Sequence, residues 1–230
     1  MLFQLLRGGF DEIDMAQVMV QVAVLVFIMF ICLPVHELAH AWMAKKMGDD
    51  TAANHGRLTL NPLRHLDPIG SLMLLAVGFG YAKPVPVNPR RFKSYKKGMA
   101  LVALAGPVSN ILLSMGFMLL SHIAELAARV SQNEFAEFAG LFLWSIAYYN
   151  VSLAIFNMLP IPPLDGSRVL DLILPTKISY FIAEYERYIR YGLIALMIFG
   201  VLSPVIMALS LWTTRGIDFV ISLPFRLIGG

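Results

Sequence analysis

The chain has 230 residues, of which 58% are hydrophobic and 14% charged, and its mean hydropathy is +0.70. Soluble domains contain about 45–50% apolar and about 25% charged residues, so the composition excludes an ordinary soluble domain and indicates a polytopic membrane protein. The net charge of +3 is small, and Lys and Arg cluster at the ends of apolar segments. That distribution is a topology signal and argues against nucleic acid as a partner. The lone Cys32 excludes an internal disulfide framework and is predicted to be a buried packing thiol.

The first apolar segment, 16–35, carries no charge and is long enough to cross about 30 Å of hydrocarbon as a helix. Pro34 cannot donate a backbone hydrogen bond, so a local kink is expected near it. The helix is predicted to continue to Met47 and to end at Gly48 as a cap. Lys45 and Lys46 then mark the cytoplasmic end, which leaves the N-terminus outside.

Residues 49–97 are predicted to enter the membrane and return on the same side. Alternation around Leu58 and Leu60 favours a short strand, and the apolar run 69–81 is too short for a full span, so we expect a re-entrant segment. Alternating prolines in 83–89 forbid a helix and favour an extended edge. The basic cluster that follows returns the chain to the cytoplasmic side.

Three further spans are predicted, over 99–120, 139–159 and 188–212, the last followed by an amphipathic tail over 213–230. The resulting fold class is an all-α polytopic membrane protein with about four full transmembrane helices, a re-entrant segment and short membrane-associated β strands. We expect one domain over 1–230, with a catalytic core over about 16–170.

The sequence His36-Glu37-Leu38-Ala39-His40 is the main candidate for chemistry. On a helix, the two His lie on one face with Cβ atoms about 6 Å apart, a spacing that lets two imidazoles share one Zn²⁺. Glu37 lies on a neighbouring face, where it can take a proton from a water at the metal. Ionisable groups at membrane depth are costly, which favours this interpretation over two structural histidines.

A catalytic zinc ion usually takes three protein ligands, so a third must come from elsewhere in the chain. Asp165 is the preferred candidate, because prolines end the preceding span and leave this carboxylate at the depth of the two His. An Asx turn before Gly166 is its structural alternative. The competing third ligands are Asp67, Asp171 and Glu184. Asn110 and Asn157 are candidates for binding the substrate or an oxyanion, with interhelical hydrogen bonding as the alternative.

The chain resembles the site-2 protease family of intramembrane zinc metalloproteases, in its compact prokaryotic form without a PDZ domain. The resemblance rests on His36–His40, on Gly106-Pro107-Val108-Ser109-Asn110, and on 157–166 with Leu164-Asp165-Gly166; the stretches 58–62 and 83–89 also fit. It implies one catalytic Zn²⁺ held by His36, His40 and Asp165, with Glu37 as the base. It also implies that Asn110 and Asn157 hold the substrate strand near the metal.

The expected substrate is a transmembrane protein or peptide in the lipid bilayer of a prokaryotic plasma membrane, cleaved toward the cytoplasmic side. A transmembrane helix must unwind before its amides can be attacked, and an exposed strand edge could accept it by strand addition. Val85 and Val87 are candidates for that edge, with a simple plug of the cavity as the alternative.

Two other functions stay open from the residues alone, a membrane metal-ion transporter and a non-catalytic zinc-binding membrane protein. Homo-oligomerisation also stays open. His55 and His65 are expected to be surface or cap residues, although the sequence does not exclude a second metal at either.

Overall fold

The computed structural model describes residues 15–77 and 80–228 and is built almost entirely of helices. They are α1 (Met15–Phe27), a π-helical turn (Ile28–Cys32), α2 (Leu33–Lys46), α3 (Thr51–Asn54), α4 (Pro68–Val77), α5 (Tyr95–Ser131), α6 (Glu134–Asn157), α7 (Asp165–Asp171), α8 (Thr176–Ile198) and α9 (Ser203–Ile228). Four helical stretches are long and apolar enough to cross a membrane: Gln17–Lys46, Tyr95–Ser131, Glu134–Asn157 and Ser203–Phe225. The predicted all-α class with four spans is therefore confirmed.

The first span is one helix in which α1 continues through the π-helical turn into α2. The Leu33 amide donates to the Ile28 carbonyl, five residues back, which is the π pattern. This wider turn comes directly before Pro34, so the predicted local irregularity takes the form of a π turn. Helix α2 ends at Lys46, one residue earlier than predicted, with Met47 as its C-cap; Gly48 follows with a φ of 98°, the left-handed conformation that favours glycine after a helix.

Helices α5 and α6 form a long hairpin against which the first span packs. The connection between the spans predicted over 99–120 and 139–159 is much shorter than those bounds imply, because polar residues continue both helices and only 132 and 133 join them. Asn133 begins α6 by accepting the Phe135 amide at 2.9 Å. The centre of the bundle is apolar, and Cys32 is fully buried there, as predicted.

The span predicted over 188–212 is wrong. Helix α8 ends at Ile198, Gly200 adopts a φ of 71°, and α9 begins at Ser203. Residues 213–225, which were predicted to belong to a tail, therefore supply the second half of the fourth candidate span. The apolar composition is continuous across this turn, so no charge marks it, and Asp218 is accommodated in α9 because it pairs with His122 of α5 at 2.8 Å.

The segment between the first two spans contains no strand among the residues that the structure describes. The strand predicted around Leu58 and Leu60 is not formed, and an isolated antiparallel bridge joins Leu66 to Ala82 instead. Helix α4 covers the first part of the segment predicted to be re-entrant, whose residues 78 and 79 lie outside the described part of the chain. The re-entrant path therefore stays a prediction.

The two loop histidines differ. His55 is exposed and bonds the Thr51 carbonyl through Nδ1 at 2.8 Å, as expected of a cap. The surface placement of His65 is wrong, because its side chain is fully buried and its Nε2 donates to the Thr59 carbonyl at 2.7 Å. The buried imidazole therefore stabilises the loop through a hydrogen bond to the loop backbone.

Candidate metal centre

Two separate parts of the chain bring three ligand atoms together. His36 and His40 lie one turn apart on α2, with their Nε2 atoms 3.0 Å from each other. The Oδ2 atom of Asp165, the first residue of α7, lies 3.4 Å from each of those nitrogens. Across residues 15–77 and 80–228, this is the only group of three His, Cys, Asp or Glu ligand atoms that close together.

The separations fit one tetrahedral zinc ion. Bonds of about 2.0–2.1 Å at tetrahedral angles place ligand atoms about 3.3 Å apart. The observed separations of 3.0, 3.4 and 3.4 Å surround that value. Asp165 Oδ2 is also buried without a hydrogen-bond partner. Such an atom is costly unless something fills its coordination, and a cation would do so.

A backbone carbonyl sets the orientation of His40. Its Nδ1 donates to the Val102 carbonyl of α5 at 2.7 Å, so the proton resides on Nδ1 and the Nε2 lone pair faces Asp165. Metal-binding histidines commonly use this arrangement to fix ring and tautomer. His36 is 4% exposed, and its ring meets the His40 ring edge-on.

Gly106 of α5 packs directly on both imidazoles. A Cβ atom at this position would lie 2.4 Å from Nε2 of His40 and 2.5 Å from Cε1 of His36. Only a residue without a side chain allows α5 to approach the two rings this closely. The small residues noted in the sequence at 106–110 therefore accommodate the candidate ligands themselves.

The turn before Asp165 explains how this carboxylate reaches the two rings. Helix α6 ends at Asn157, and prolines in the following turn prevent its continuation. Gly166 packs on that turn, where a Cβ atom would lie 2.2 Å from the Met158 carbonyl oxygen. Helix α7 thus starts with Asp165 against α5.

The carboxylate is held in its ionised form. Burial alone would raise the pKa of Asp165, but the two imidazoles that face its Oδ2 atom lower it below its usual range. An ionised carboxylate is the form that binds a metal. Of the competing ligands, Asp67 instead accepts the amides of Ile69 and Gly70 at the start of α4.

The remaining candidate residues have different surroundings. Glu37 is 9% exposed and lies beside His36 on α2. Asn110, one turn after Gly106, is fully buried, and neither amide atom has a hydrogen-bond partner among the described residues. Asn157 donates through Nδ2 to the Leu153 carbonyl at 3.0 Å, which is a local helix bond. Val85 and Val87 lie half-buried in a stretch without regular secondary structure.

Sequence reasoning missed several groups around this centre. The Val102 carbonyl leaves no mark on the sequence, because every residue type supplies one. The buried charges of Asp49 and Arg57 were also missed, since charges in a polar loop are normally solvated. Nothing in the local pattern distinguishes these two from their exposed neighbours.

Comparisons with known proteins find relatives that are named as zinc metalloproteases. Residues 119–200 match peptidase family M50. A Bacillus subtilis protein named "Putative zinc metalloprotease YwhC" is 43% identical over 71% of this chain and 75% of its own length. "Putative zinc metalloprotease Rip2" of Mycobacterium tuberculosis H37Rv is 31% identical over 75% of this chain and 68% of its own. "Zinc metalloprotease MJ0392" of Methanocaldococcus jannaschii is 26% identical over 69% of this chain and 36% of its own. No solved structure matches the chain significantly.

Proposed function

The chain belongs to peptidase family M50, and we propose that it is a zinc metalloendopeptidase that cleaves a membrane-protein substrate in or near a transmembrane segment. The observation that carries the proposal is the convergence of His36, His40 and Asp165 at the end of an apolar span. The zinc metalloprotease names of the relatives support both the metal and the reaction.

In this proposal, His36, His40 and Asp165 are the three protein ligands, which leaves a fourth position open for the reaction. Zn²⁺, when bound, lowers the pKa of water to about 7 and polarises a carbonyl. Glu37 takes the proton of the attacking water and returns it to the leaving amine. Its position next to His36 on α2, with only 9% of its surface exposed, supports this role.

Asn110 is the better of the two candidates for holding the substrate or its oxyanion. Its amide is buried without a partner one turn from Gly106, so its hydrogen-bonding capacity is available to a bound peptide. Asn157 already makes a helix bond through Nδ2, which leaves its side-chain oxygen for the same purpose. Both assignments are tested by kcat in Asn→Ala variants that retain zinc.

Val85 and Val87 are the proposed contacts for an extended substrate strand. Neither valine lies in a helix, and the prolines on either side favour an extended backbone. A substrate segment that has left its helix needs partners for its amides within the membrane, and an open backbone edge supplies them. If cleavage survives substitution of either valine by proline, the segment is a plug instead.

We also propose the placement of the protein in the membrane. The candidate ligands lie toward the end of the spans where Lys and Arg cluster, as Lys45 and Lys46 do at the end of α2. By the positive-inside rule, this end faces the cytoplasm of a prokaryotic plasma membrane and the N-terminus lies outside. We assign residues 1–230 to one domain, with the catalytic core over about 16–170.

The decisive experiment measures zinc content and peptide cleavage together in detergent micelles. Wild-type protein is expected to bind one zinc ion and to cleave, whereas Glu37→Gln keeps the zinc and loses at least about a hundredfold in kcat. A Glu37→Gln variant that cleaves normally would remove this residue from its role as the base. Zinc flux into liposomes without cleavage would support a transporter, and zinc binding with neither would support a scaffold.

A further inference from the structure

The stretch 83–88, whose prolines favour an extended backbone, is held at both ends by buried charged side chains from the preceding loop. Arg57 is only 4% exposed, and its Nη2 donates to the Lys83 carbonyl. Asp49 is fully buried, and its Oδ2 accepts the Asn88 amide at 2.6 Å. Both bonds involve an ionised group and a backbone atom, which makes them stronger than neutral hydrogen bonds.

Between these two ends, no backbone hydrogen bond joins the stretch to residues 15–77 or 80–228. Val85 and Val87 make no hydrogen bond through their amides or carbonyls to the part of the chain that the structure describes. Pro84 and Pro86 have no N–H, and successive residues of an extended chain face opposite sides. The edge that contains Val85 and Val87 therefore presents amide donors and carbonyl acceptors. The opposite edge, which contains Pro84 and Pro86, has no amide donor at either proline.

Burying the charges of Asp49 and Arg57 inside the loop costs desolvation free energy. A charge taken out of water must be compensated by hydrogen bonds, and Arg57 Nε is buried without one. Asp49 is well compensated, because Oδ1 also accepts the Thr51 amide at 3.0 Å and its hydroxyl at 2.5 Å. Burial would raise the pKa of Asp49, but these bonds, together with the Asn88 amide and Arg91, lower it. The group thus stays ionised and fixed.

The stretch also contacts the support of the metal centre. Val87 packs on the cluster of Ala44, Phe92 and Val102, and the Val102 carbonyl is the acceptor that fixes His40. A peptide added along the edge at 85–87 would therefore lie close to the candidate ligands.

We propose that Asp49 and Arg57 are positioning residues that hold the stretch 83–88 in an extended conformation near the metal centre. In that conformation, Val85 and Val87 present their backbone amides and carbonyls to an extended substrate peptide. The inference deepens the proposed function and rests on it. Neither residue touches the reacting atoms. Their removal should weaken substrate binding while leaving zinc and the chemical step in place.

Kinetics on fluorescein-labelled casein, an unstructured protein substrate, provide the first test. We expect Asp49→Asn and Arg57→Met to raise KM about tenfold or more with kcat changed less than about twofold, the signature of lost uniform binding. Arg57→Lys retains a charged donor and should restore part of the affinity. Asp50→Asn and Arg90→Met, at exposed neighbouring positions, are the matched controls and should behave as wild type. Zinc content should be unchanged in every variant.

We call the two contacts of Asp49 and Arg57 with the stretch 83–88 the clamp. Hydrogen exchange of the same proteins tests the clamp without a measurement of activity. In the free wild type, the Asn88 amide should exchange slowly and the Val85 and Val87 amides fast. Casein bound to Glu37→Gln should protect the two valines, and Asp49→Asn in that background should remove both the Asn88 protection and the casein effect.

The results separate the clamp from the proposed function. Unchanged KM in folded Asp49→Asn and Arg57→Met variants, or valine amides that casein never protects, would overturn the clamp. If Asp49→Asn fails to fold, the Arg57→Met and Arg57→Lys pair tests the clamp by the same change in KM. Failure of the wild type to bind zinc or to cleave casein would contradict the proposed peptidase function. The exchange rate of the Asn88 amide would still test the clamp in that case.

Discussion

Replacing Gly106 by alanine perturbs the metal centre with a single methyl group. The new Cβ would lie 2.4 Å from His40 Nε2 and 2.5 Å from Cε1 of both His36 and His40, whereas ordinary contacts begin at 3.4 Å. The rings or α5 must therefore move by about 1 Å, several times the tolerance of about 0.2 Å for a metal–ligand bond. The atoms that must move belong to the candidate ligands themselves.

The expected magnitude follows from this displacement. Disturbing groups that merely orient metal ligands costs about 10–100-fold in metal affinity, so displacing two ligands should cost about 100-fold or more. Zinc affinity is measured by competition with a chromophoric chelator on purified protein in detergent. Peptide cleavage at limiting zinc should fall in parallel.

The matched control is Gly116→Ala, on the same helix. Nothing lies within 4 Å of a Cβ at Gly116, so this variant gains the same methyl without a clash. It should bind zinc as the wild type does. A folded Gly106→Ala variant with wild-type zinc affinity would refute the arrangement of α5 against the two imidazoles.

Three further predictions concern the supports of the site and the outer end of the bundle. Gly166→Ala should lower zinc affinity and melting temperature together, since its Cβ would meet the Met158 carbonyl oxygen at 2.2 Å; retained zinc in a folded variant would argue against this packing. The pKa of Asp49 is lower in the folded state, so its stabilisation is present above the unfolded value of about 4 and is lost as pH falls through the folded value. Melting temperatures should therefore fall less on acidification in Asp49→Asn than in wild type, and equal pH dependence would contradict the assignment. His122→Ala breaks the 2.8 Å pair with Asp218 and should reduce thermal stability without affecting zinc content; a loss of zinc would show coupling that the structure does not explain.

The grouping of His36, His40 and Asp165 was largely predictable because each of its parts leaves a strong local signal in the sequence. The spacing of His36 and His40 fixes their common face on any helix, and the prolines before Asp165 force the chain out of its span at a definite depth. Three of the four spans follow from apolar length alone. The structure decides between the candidate third ligands, because it places Asp165, and not Asp67, next to the two imidazoles.

The parts that were not predictable depend on contacts far apart in the chain. The turn at Gly200 lies within continuous apolar sequence, and the α9 span includes Asp218, whose partner His122 is 96 residues away. Burial of His65 likewise depends on the fold of the whole loop, because only its bond to the Thr59 carbonyl makes an interior imidazole tolerable. Single-sequence patterns carry no information on such pairs.

X-ray absorption at the zinc edge, on wild-type protein and on Asp165→Ala, tests the central claim most directly. The account predicts one zinc ion per chain with nitrogen and oxygen ligands at about 2.0–2.2 Å and no sulfur, and the loss of most of that zinc in the variant. An Asp165→Ala protein that keeps a full complement of zinc with an unchanged spectrum would contradict it.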